Sequence, residues 1–164
     1  MPKVLVVEDS PSARAFVRAI LEEPEFAHAL GGCQVTEASS GFEAMRLLPR
    51  GPYDLIITDI NMAAINGLEL IRFIRMSEHH RSTPLVIIST LAAQRDIDKG
   101  LALGADAYLP KPFTAEALRA TCVRALGGAK TEAGSHPGPV GSAGSSGSTG
   151  SEGAVAQSPG EAKR

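Results

Sequence analysis

The sequence predicts an α/β fold, a doubly wound, five-stranded parallel sheet with helices on both faces. Three short, continuous apolar runs, at residues 4–7, 55–57 and 85–88, are typical of strands that are buried on both sides. Weaker runs at residues 35–38 and 107–109 supply two more strands. Helical patterns separate the five runs, and such alternation favours right-handed crossovers between parallel strands.

Capping signals mark the beginnings of the first two helices. Ser10 is a favourable N-cap, and Pro11 suits the first helical position. Apolar residues then recur at helical spacing and predict one buried face, formed by Ala13, Phe16, Val17, Ile20 and Leu21. Ser40 and Glu43 have the spacing of a capping box, so a second helix is expected to begin there, with an apolar series that starts at Phe42.

Three further helices complete the predicted pattern. The third has its apolar positions at Leu68, Ile71 and Ile74. A fourth is predicted over residues 92–103 and ends at Gly104, because glycine suits the position after a helix C-terminus. The fifth is expected to begin at Thr114 and to end near Gly127.

The link between the first helix and the second strand, residues 22–33 with the sequence EEPEFAHALGGC, is long for an α/β unit. Pro24 is expected to interrupt or end the first helix, because proline lacks the amide hydrogen that an interior position donates. The sequence leaves open whether residues 25–30 add a helical turn, so the prediction stands at five helices.

Length and composition favour one folded domain, residues 1–126, followed by a flexible tail, residues 127–164. The chain has 164 residues, 43% of them hydrophobic, which is enough for a single core. After Leu126 it has no aromatic residue and only two isolated valines among Gly, Ser, Pro and Ala. Such a segment cannot bury enough apolar surface to offset the entropy lost on ordering.

Charge and hydropathy argue against several classes of function. The formal net charge of −2, without a basic stripe, leaves no electrostatic footprint for nucleic acid or an anionic membrane. No apolar run approaches the ~20 residues of a membrane span, and the N-terminus lacks the pattern of a signal peptide. Cys33 and Cys122 lack metal-ligand spacing and are expected to be reduced thiols. We therefore expect a soluble, cytoplasmic protein.

Polar side chains collect at the carboxyl ends of the predicted strands, the edge at which open parallel sheets bind ligands. They are Glu8 and Asp9 at the first strand, Asp59 and Asn61 at the third, Ser89 at the fourth and Lys111 at the fifth. Three close carboxylates repel one another unless a cation neutralises them, and Mg²⁺ prefers such oxygen ligands. One carboxylate oxygen can then attack phosphorus while the metal and the ammonium stabilise the phosphoryl oxygens. The set predicts a phosphoryl-accepting site.

Each member of this set alone also has an ordinary structural interpretation. Asp59 and Ser89 suit helix caps or turns, and Lys111 suits a solvated loop. Their arrival at successive strand ends favours the site instead. His79 and His80 do not predict a metal pair, because adjacent residues do not share a helix face, and a solvated helix end is expected for them.

The segments VLVVEDS, YDLIITDINM, GLELIRFIR, PLVIIST and GADAYLPKPF together resemble the receiver domain of two-component response regulators, particularly the stand-alone CheY type. The resemblance covers about residues 1–126, with the segments in order. It implies the flavodoxin-like strand order 2-1-3-4-5 of the CheY fold.

The resemblance implies roles for the site residues. Asp59 would accept a phosphoryl group from the phosphohistidine of a histidine kinase, and Lys111, before a cis peptide bond to Pro112, would pair with that group. The resemblance also implies a Mg²⁺ site formed by Glu8, Asp9, Asp59 and the backbone carbonyl of Asn61.

The resemblance further implies a switch rather than an enzyme with its own substrate. Ser89 would move toward the phosphoryl group and Tyr108 would swing inward behind it. These movements would change the face formed by the fourth helix, the fifth strand and the fifth helix, where a downstream protein would bind. A chemotaxis or motility regulator is the leading interpretation, and a phosphorelay intermediate or a phosphate sink is the alternative.

Two other classes fit the sequence less well. A haloacid-dehalogenase-like phosphatase also uses an aspartyl phosphate and Mg²⁺, but it needs a general acid two residues after the nucleophile, where this chain has Asn61. A flavin- or nucleotide-binding module would need a glycine-rich phosphate loop, and none follows the first strand.

Overall fold

A computed structural model describes residues 1–90 and 94–128, and within them five parallel strands form one sheet in the order β2-β1-β3-β4-β5. The strands are β1 (Lys3–Val7), β2 (Gln34–Ala38), β3 (Leu55–Asp59), β4 (Leu85–Thr90) and β5 (Ala107–Lys111). The predicted fold class and strand order are therefore confirmed.

Six α-helices surround the sheet in the described residues, one more than the sequence predicts. They are α1 (Pro11–Glu22), α2 (Pro24–Leu30), α3 (Gly41–Leu47), α4 (Gly67–Met76), α5 (Gln94–Ala102) and α6 (Ala115–Leu126), and a 3₁₀ turn at Leu48–Arg50 follows α3. The additional helix is α2, in the long link that the sequence left open. Phe26 is fully buried in the core, and this burial explains why the link is helical and not a loose loop. The predicted fourth and fifth helices correspond to α5 and α6.

Side-chain caps begin three helices where the sequence places them. The hydroxyl groups of Ser10, Ser40 and Thr114 each accept a hydrogen bond from the backbone amide three residues later, at 3.4, 3.1 and 3.1 Å. The capping box of α3 differs in one detail. The Glu43 carboxylate accepts from the backbone amide and the hydroxyl of Ser39, at 2.7 and 2.6 Å, and not from the amide of Ser40.

The sheet separates two apolar layers, because successive residues of a strand point to opposite faces. Leu5 and Val7 of β1 pack on one face with α3 and α4. Val4 and Val6 pack on the other face with α1 and α6. This arrangement leaves only the ends of the strands available for polar chemistry.

Three expectations about side-chain burial are wrong. Phe16 and Phe42 belong to predicted apolar faces, yet they are 50% and 59% exposed. The ring of Phe16 packs instead against Phe113, with ring centroids 5.8 Å apart. His80 was expected to be solvated but is 2% exposed. Its Nε2 lies 2.9 Å from the carbonyl oxygen of Leu48, so it is a buried structural residue.

Neither cysteine forms a disulfide bond in the structure. Cys33 and Cys122 are free thiols, and burial raises the pKa of Cys33 to about 11 and that of Cys122 to about 12. In the part of the chain that the structure describes, no helix is both long and apolar enough to cross a bilayer. Most of the predicted tail, residues 129–164, lies outside the described residues.

Candidate functional site

The structure brings the predicted acidic residues together at the carboxyl edge of the sheet. Glu8 and Asp9 follow β1, and Asp59 is the last residue of the neighbouring strand β3. Each of the three carboxylates places one oxygen within 4.8 Å of the other two. Glu8 and Asp59 are only 4% and 6% exposed, whereas Asp9 is open to solvent. The set combines two fixed, buried acids with one accessible acid.

Lys111, the last residue of β5, is the cation that holds the two buried acids. Its Nζ lies 2.5 Å from Oε2 of Glu8 and 2.9 Å from Oδ2 of Asp59. Burial by itself would lower the pKa of Lys111, but the hydrogen bonds to the two carboxylates outweigh it and the pKa is raised. The ammonium therefore stays charged.

Glu8 shows the opposite balance. Burial raises the pKa of the Glu8 carboxyl, and its hydrogen bonds to Lys111 and to the amide of Ser10 only partly offset that rise. The negative charge of Asp59 raises it further. One ammonium thus compensates incompletely for the acid cluster, and a divalent cation would complete the neutralisation.

Backbone amides fix the remaining oxygens of the two buried acids. The amide of Ser10 donates to Oε1 of Glu8 at 3.0 Å, and the amide of Asn61 donates to Oδ1 of Asp59 at 2.9 Å. Both carboxylates are therefore held at two points each.

Ser89 and Asn61 form a contact that sequence reasoning missed. The side-chain amide of Asn61 donates to Oγ of Ser89 at 3.0 Å, and that hydroxyl donates to the carbonyl oxygen of Thr90 at 3.1 Å. Ser89 is fully buried. The sequence does not predict this contact, because nothing local indicates where the Asn61 side chain points.

The peptide bond after Lys111 is as the resemblance implies, whereas the inward movement of Tyr108 stays a prediction. Tyr108 is partly buried and packs against the core layer that contains α3 and α4. The Lys111–Pro112 peptide bond is cis.

Arg14 of α1 is a second residue that sequence reasoning missed. Its Nη1 donates to the backbone carbonyl oxygen of Glu8 at 2.7 Å, and its Nε lies 3.5 Å from Oε1 of Glu37 on β2. The only sequence signal is its position one turn into the helix that follows the acid pair. Arginine at such a position is ordinarily read as part of a solvated face.

Comparison with known proteins decides the family. The family model of the response regulator receiver domain matches residues 4–122. The chain belongs to this family. Membership of this family accounts for the parallel sheet with the strand order 2-1-3-4-5.

The relatives of this receiver domain are CheY-like. The chain is 32% identical over 117 residues to the chemotaxis protein CheY-3 of Vibrio cholerae. The aligned region covers 71% of this chain and 85% of that protein. Its structure resembles that of the chemotaxis response regulator CheY4 of Vibrio cholerae, with a TM-score of 0.68 and 34% identity over 77% of this chain and 99% of the other.

A third relative carries a metal. It is the receiver domain of a sensor histidine kinase of Pseudomonas aeruginosa, solved with a magnesium ion coordinated in its active-site cleft. The TM-score is 0.67 and the identity 31%, over 77% of this chain and 98% of the other. The residues of the present chain fit such an ion. Glu8, Asp9 and Asp59 offer clustered carboxylate oxygens, which are the ligands that Mg²⁺ prefers.

Proposed function

We propose that this receiver domain is a phosphorylation-controlled switch, in which Asp59 accepts a phosphoryl group from the phosphohistidine of a histidine kinase. One observation carries the proposal. The Asp59 carboxylate lies at the carboxyl edge of the sheet, 2.9 Å from the Lys111 ammonium and within 4.8 Å of carboxylate oxygens of Glu8 and Asp9. The set combines an oxygen nucleophile, a fixed cation and ligands for a second cation.

The chemistry follows from these groups. An oxygen of Asp59 attacks phosphorus, the bond from phosphorus to the donor nitrogen breaks, and the imidazole leaves. Glu8, Asp9 and Asp59, with the backbone carbonyl of Asn61, would hold Mg²⁺, which offsets the charge of the phosphoryl oxygens when bound. Lys111 is already 2.9 Å from Asp59 and supplies a point charge to the same oxygens.

The switch begins at Ser89. Its single hydroxyl proton is donated to the carbonyl oxygen of Thr90 in this structure. A phosphoryl oxygen on Asp59 is a stronger, charged acceptor, so the hydroxyl is expected to turn toward it. Tyr108 is expected to move inward behind Ser89.

The output is contact with another protein. The movement of Tyr108 would alter the face formed by α5, β5 and α6, where a downstream protein of chemotaxis or motility signalling would bind. We assign no external substrate, nucleic acid or membrane to the chain, and we place it in the cytoplasm. A phosphorelay intermediate or a phosphate sink is the second candidate, because both use the same site without this output.

The direct test is phosphorylation by acetyl phosphate. The full chain, incubated with Mg²⁺ and acetyl phosphate, is expected to gain one phosphoryl group by intact-protein mass spectrometry. Asp59→Asn should abolish the gain, because the amide oxygen is a poor nucleophile. Asp54→Asn is the matched control, since Asp54 immediately precedes β3, at the opposite end of the strand, and accepts from the amide of Lys3.

Two results would contradict the proposal. One is a chain that gains no phosphoryl group, and the other is an Asp59→Asn variant that gains one as readily as the Asp54→Asn control. Repeated turnover of a phosphate ester would instead favour a phosphatase.

A further inference from the structure

Asp9 differs from the other two acids in how it is held. The carboxylates of Glu8 and Asp59 are each fixed by a backbone amide and by Lys111. The Asp9 side chain is exposed, and its carboxylate receives no hydrogen bond or ion pair from residues 1–90 or 94–128. The direction of this carboxylate therefore depends on the backbone that carries it.

Arg14 holds that backbone. Nη1 of Arg14 donates to the carbonyl oxygen of Glu8 at 2.7 Å, and this oxygen belongs to the planar peptide unit that joins Glu8 to Asp9. On the other side of Glu8, its amide donates to the carbonyl oxygen of Ala38 at 3.0 Å. Both peptide units of Glu8 are therefore bound, one to β2 and the other to α1.

Arg14 is itself anchored. Its Nε lies 3.5 Å from Oε1 of Glu37, and the Arg14 side chain is 19% exposed. The planar guanidinium serves a carbonyl and a carboxylate at once, which a single ammonium cannot do in the same geometry. Glu37 also accepts from Nη1 of Arg18 at 2.7 Å, so Arg18 shares this anion but does not contact the acid pair.

We propose that Arg14 is a positioning residue for the metal site, which fixes the Glu8–Asp9 peptide plane and so aims the Asp9 carboxylate at the cation. The inference rests on the proposed function, because it takes Asp9 as a Mg²⁺ ligand. It concerns a residue that touches neither the cation nor the phosphoryl group.

Electrostatics alone predicts the opposite effect. A guanidinium next to the acid pair repels a divalent cation, so removing its charge would tighten Mg²⁺ binding if charge were all that mattered. If Arg14 acts by positioning, the same removal weakens binding, because partners outside the ligand shell typically contribute about 10–100-fold in metal affinity. The sign of the change therefore separates the two roles.

The test is calorimetric titration of the full chain with Mg²⁺ in the absence of any phosphodonor. Arg14→Ala is expected to weaken Mg²⁺ binding about tenfold. Arg14→Gln, also compatible with a helix but too short to replace the guanidinium, should weaken it similarly and serves if the alanine variant does not fold. Arg14→Lys keeps one donor within reach of the carbonyl oxygen and should restore part of the affinity.

Arg18→Ala is the matched control. Arg18 lies on the same helix as Arg14 and is the other cation that pairs with Glu37. Its removal should leave the Mg²⁺ affinity within about twofold of the wild type. Thermal melts without Mg²⁺ accompany both alanine variants, because a purely structural role would lower the melting temperature and leave the affinity of the folded protein unchanged.

Three outcomes would overturn the inference. The first is Mg²⁺ binding by Arg14→Ala and Arg14→Gln that is as tight as in the wild type, or tighter. The second is a loss of Mg²⁺ affinity in Arg18→Ala that equals the loss in Arg14→Ala. The third is an Arg14→Lys variant that binds Mg²⁺ no more tightly than Arg14→Ala. A wild-type chain that binds no Mg²⁺ would instead overturn the metal site of the proposed function, and with it this inference.

Discussion

Lys111 supplies one ammonium that is shared between two of the three clustered carboxylates, those of Glu8 and Asp59. Its pKa is raised, whereas burial also raises the pKa of Glu8 despite the ion pair between them. The ionised form of Lys111 is therefore favoured by folding, and the ionised form of Glu8 is disfavoured. At the scale of single residues, the buried Glu8 carboxylate lowers the stability of the metal-free fold at neutral pH, whereas the ion-paired Lys111 ammonium raises it.

This imbalance has a defined pH dependence. The folded protein binds a proton on Glu8 more tightly than the unfolded chain, whose carboxyl has a pKa of 4.5. The free energy of unfolding therefore falls as pH rises from 4.5 through the raised pKa of the folded state, and the full cost is present above it.

Removal of this charge should stabilise the metal-free protein. We expect Glu8→Gln to raise the melting temperature in EDTA at pH 7 by roughly 2–4 °C, because glutamine still accepts from Ser10 and Lys111 without a buried charge. The advantage over the wild type should shrink as pH falls through the raised pKa of folded Glu8 toward 4.5, because the buried carboxyl then becomes protonated and uncharged. Calorimetry across this pH range measures both effects. A lower melting temperature for Glu8→Gln at pH 7 would show that the ion pair with Lys111 outweighs burial.

At the scale of elements, α4 begins directly against the end of β3. Gly67 is the first residue of α4, and its amide donates to the carbonyl oxygen of Ile60 at 2.9 Å. A Cβ at this position would overlap the carbonyl oxygen of Asp59. Because that oxygen belongs to the main chain, it cannot rotate away, and the close approach of α4 to the site requires glycine.

We therefore expect Gly67→Ala to destabilise the fold by about 3 kcal/mol and to slow phosphorylation of Asp59. Gly100→Ala in α5 is the matched control. Its Cβ would meet the Cδ1 atom of Ile87, the tip of a side chain that can move. Urea unfolding followed by circular dichroism measures both variants. Equal costs at the two positions would contradict the importance of the main-chain contact.

At the scale of the whole molecule, the buried apolar side chains of the described residues lie between Val4 and Cys122. The family model matches the same span, residues 4–122. The last helix, α6, contributes Leu118 and Cys122 to the layer that it shares with α1. Both faces of the sheet are therefore covered before the glycine-rich segment begins.

A chain shortened after Gly128 should consequently keep its stability. We expect its melting temperature to lie within about 2 °C of the full chain and its gain of one phosphoryl group to be unchanged, because a segment of that composition buries little apolar surface. Differential scanning calorimetry and mass spectrometry compare the two chains. A drop of more than about 5 °C would mean that the removed residues pack on the domain, since a shift of that size corresponds to at least 1 kcal/mol.

The strands, the helix caps and the acids at the strand ends follow from local sequence signals. A buried parallel strand is a continuous apolar run, and an N-cap is a hydroxyl three residues before its amide partner. The parallel topology then brings residues at successive strand ends to one edge, so Glu8, Asp59 and Lys111 were predicted together.

Which side chains meet depends on the three-dimensional fold, because the partners are distant in sequence. Lys111 reaches Glu8 across 103 positions, Asn61 reaches Ser89 across 28, and His80 reaches Leu48 across 32. The additional helix, α2, depends in the same way on burial of Phe26 in a core built from the rest of the chain. Arg14 is close to Glu8 in sequence, but its role depends on the helix direction and on Glu37 of β2, and no local pattern encodes either.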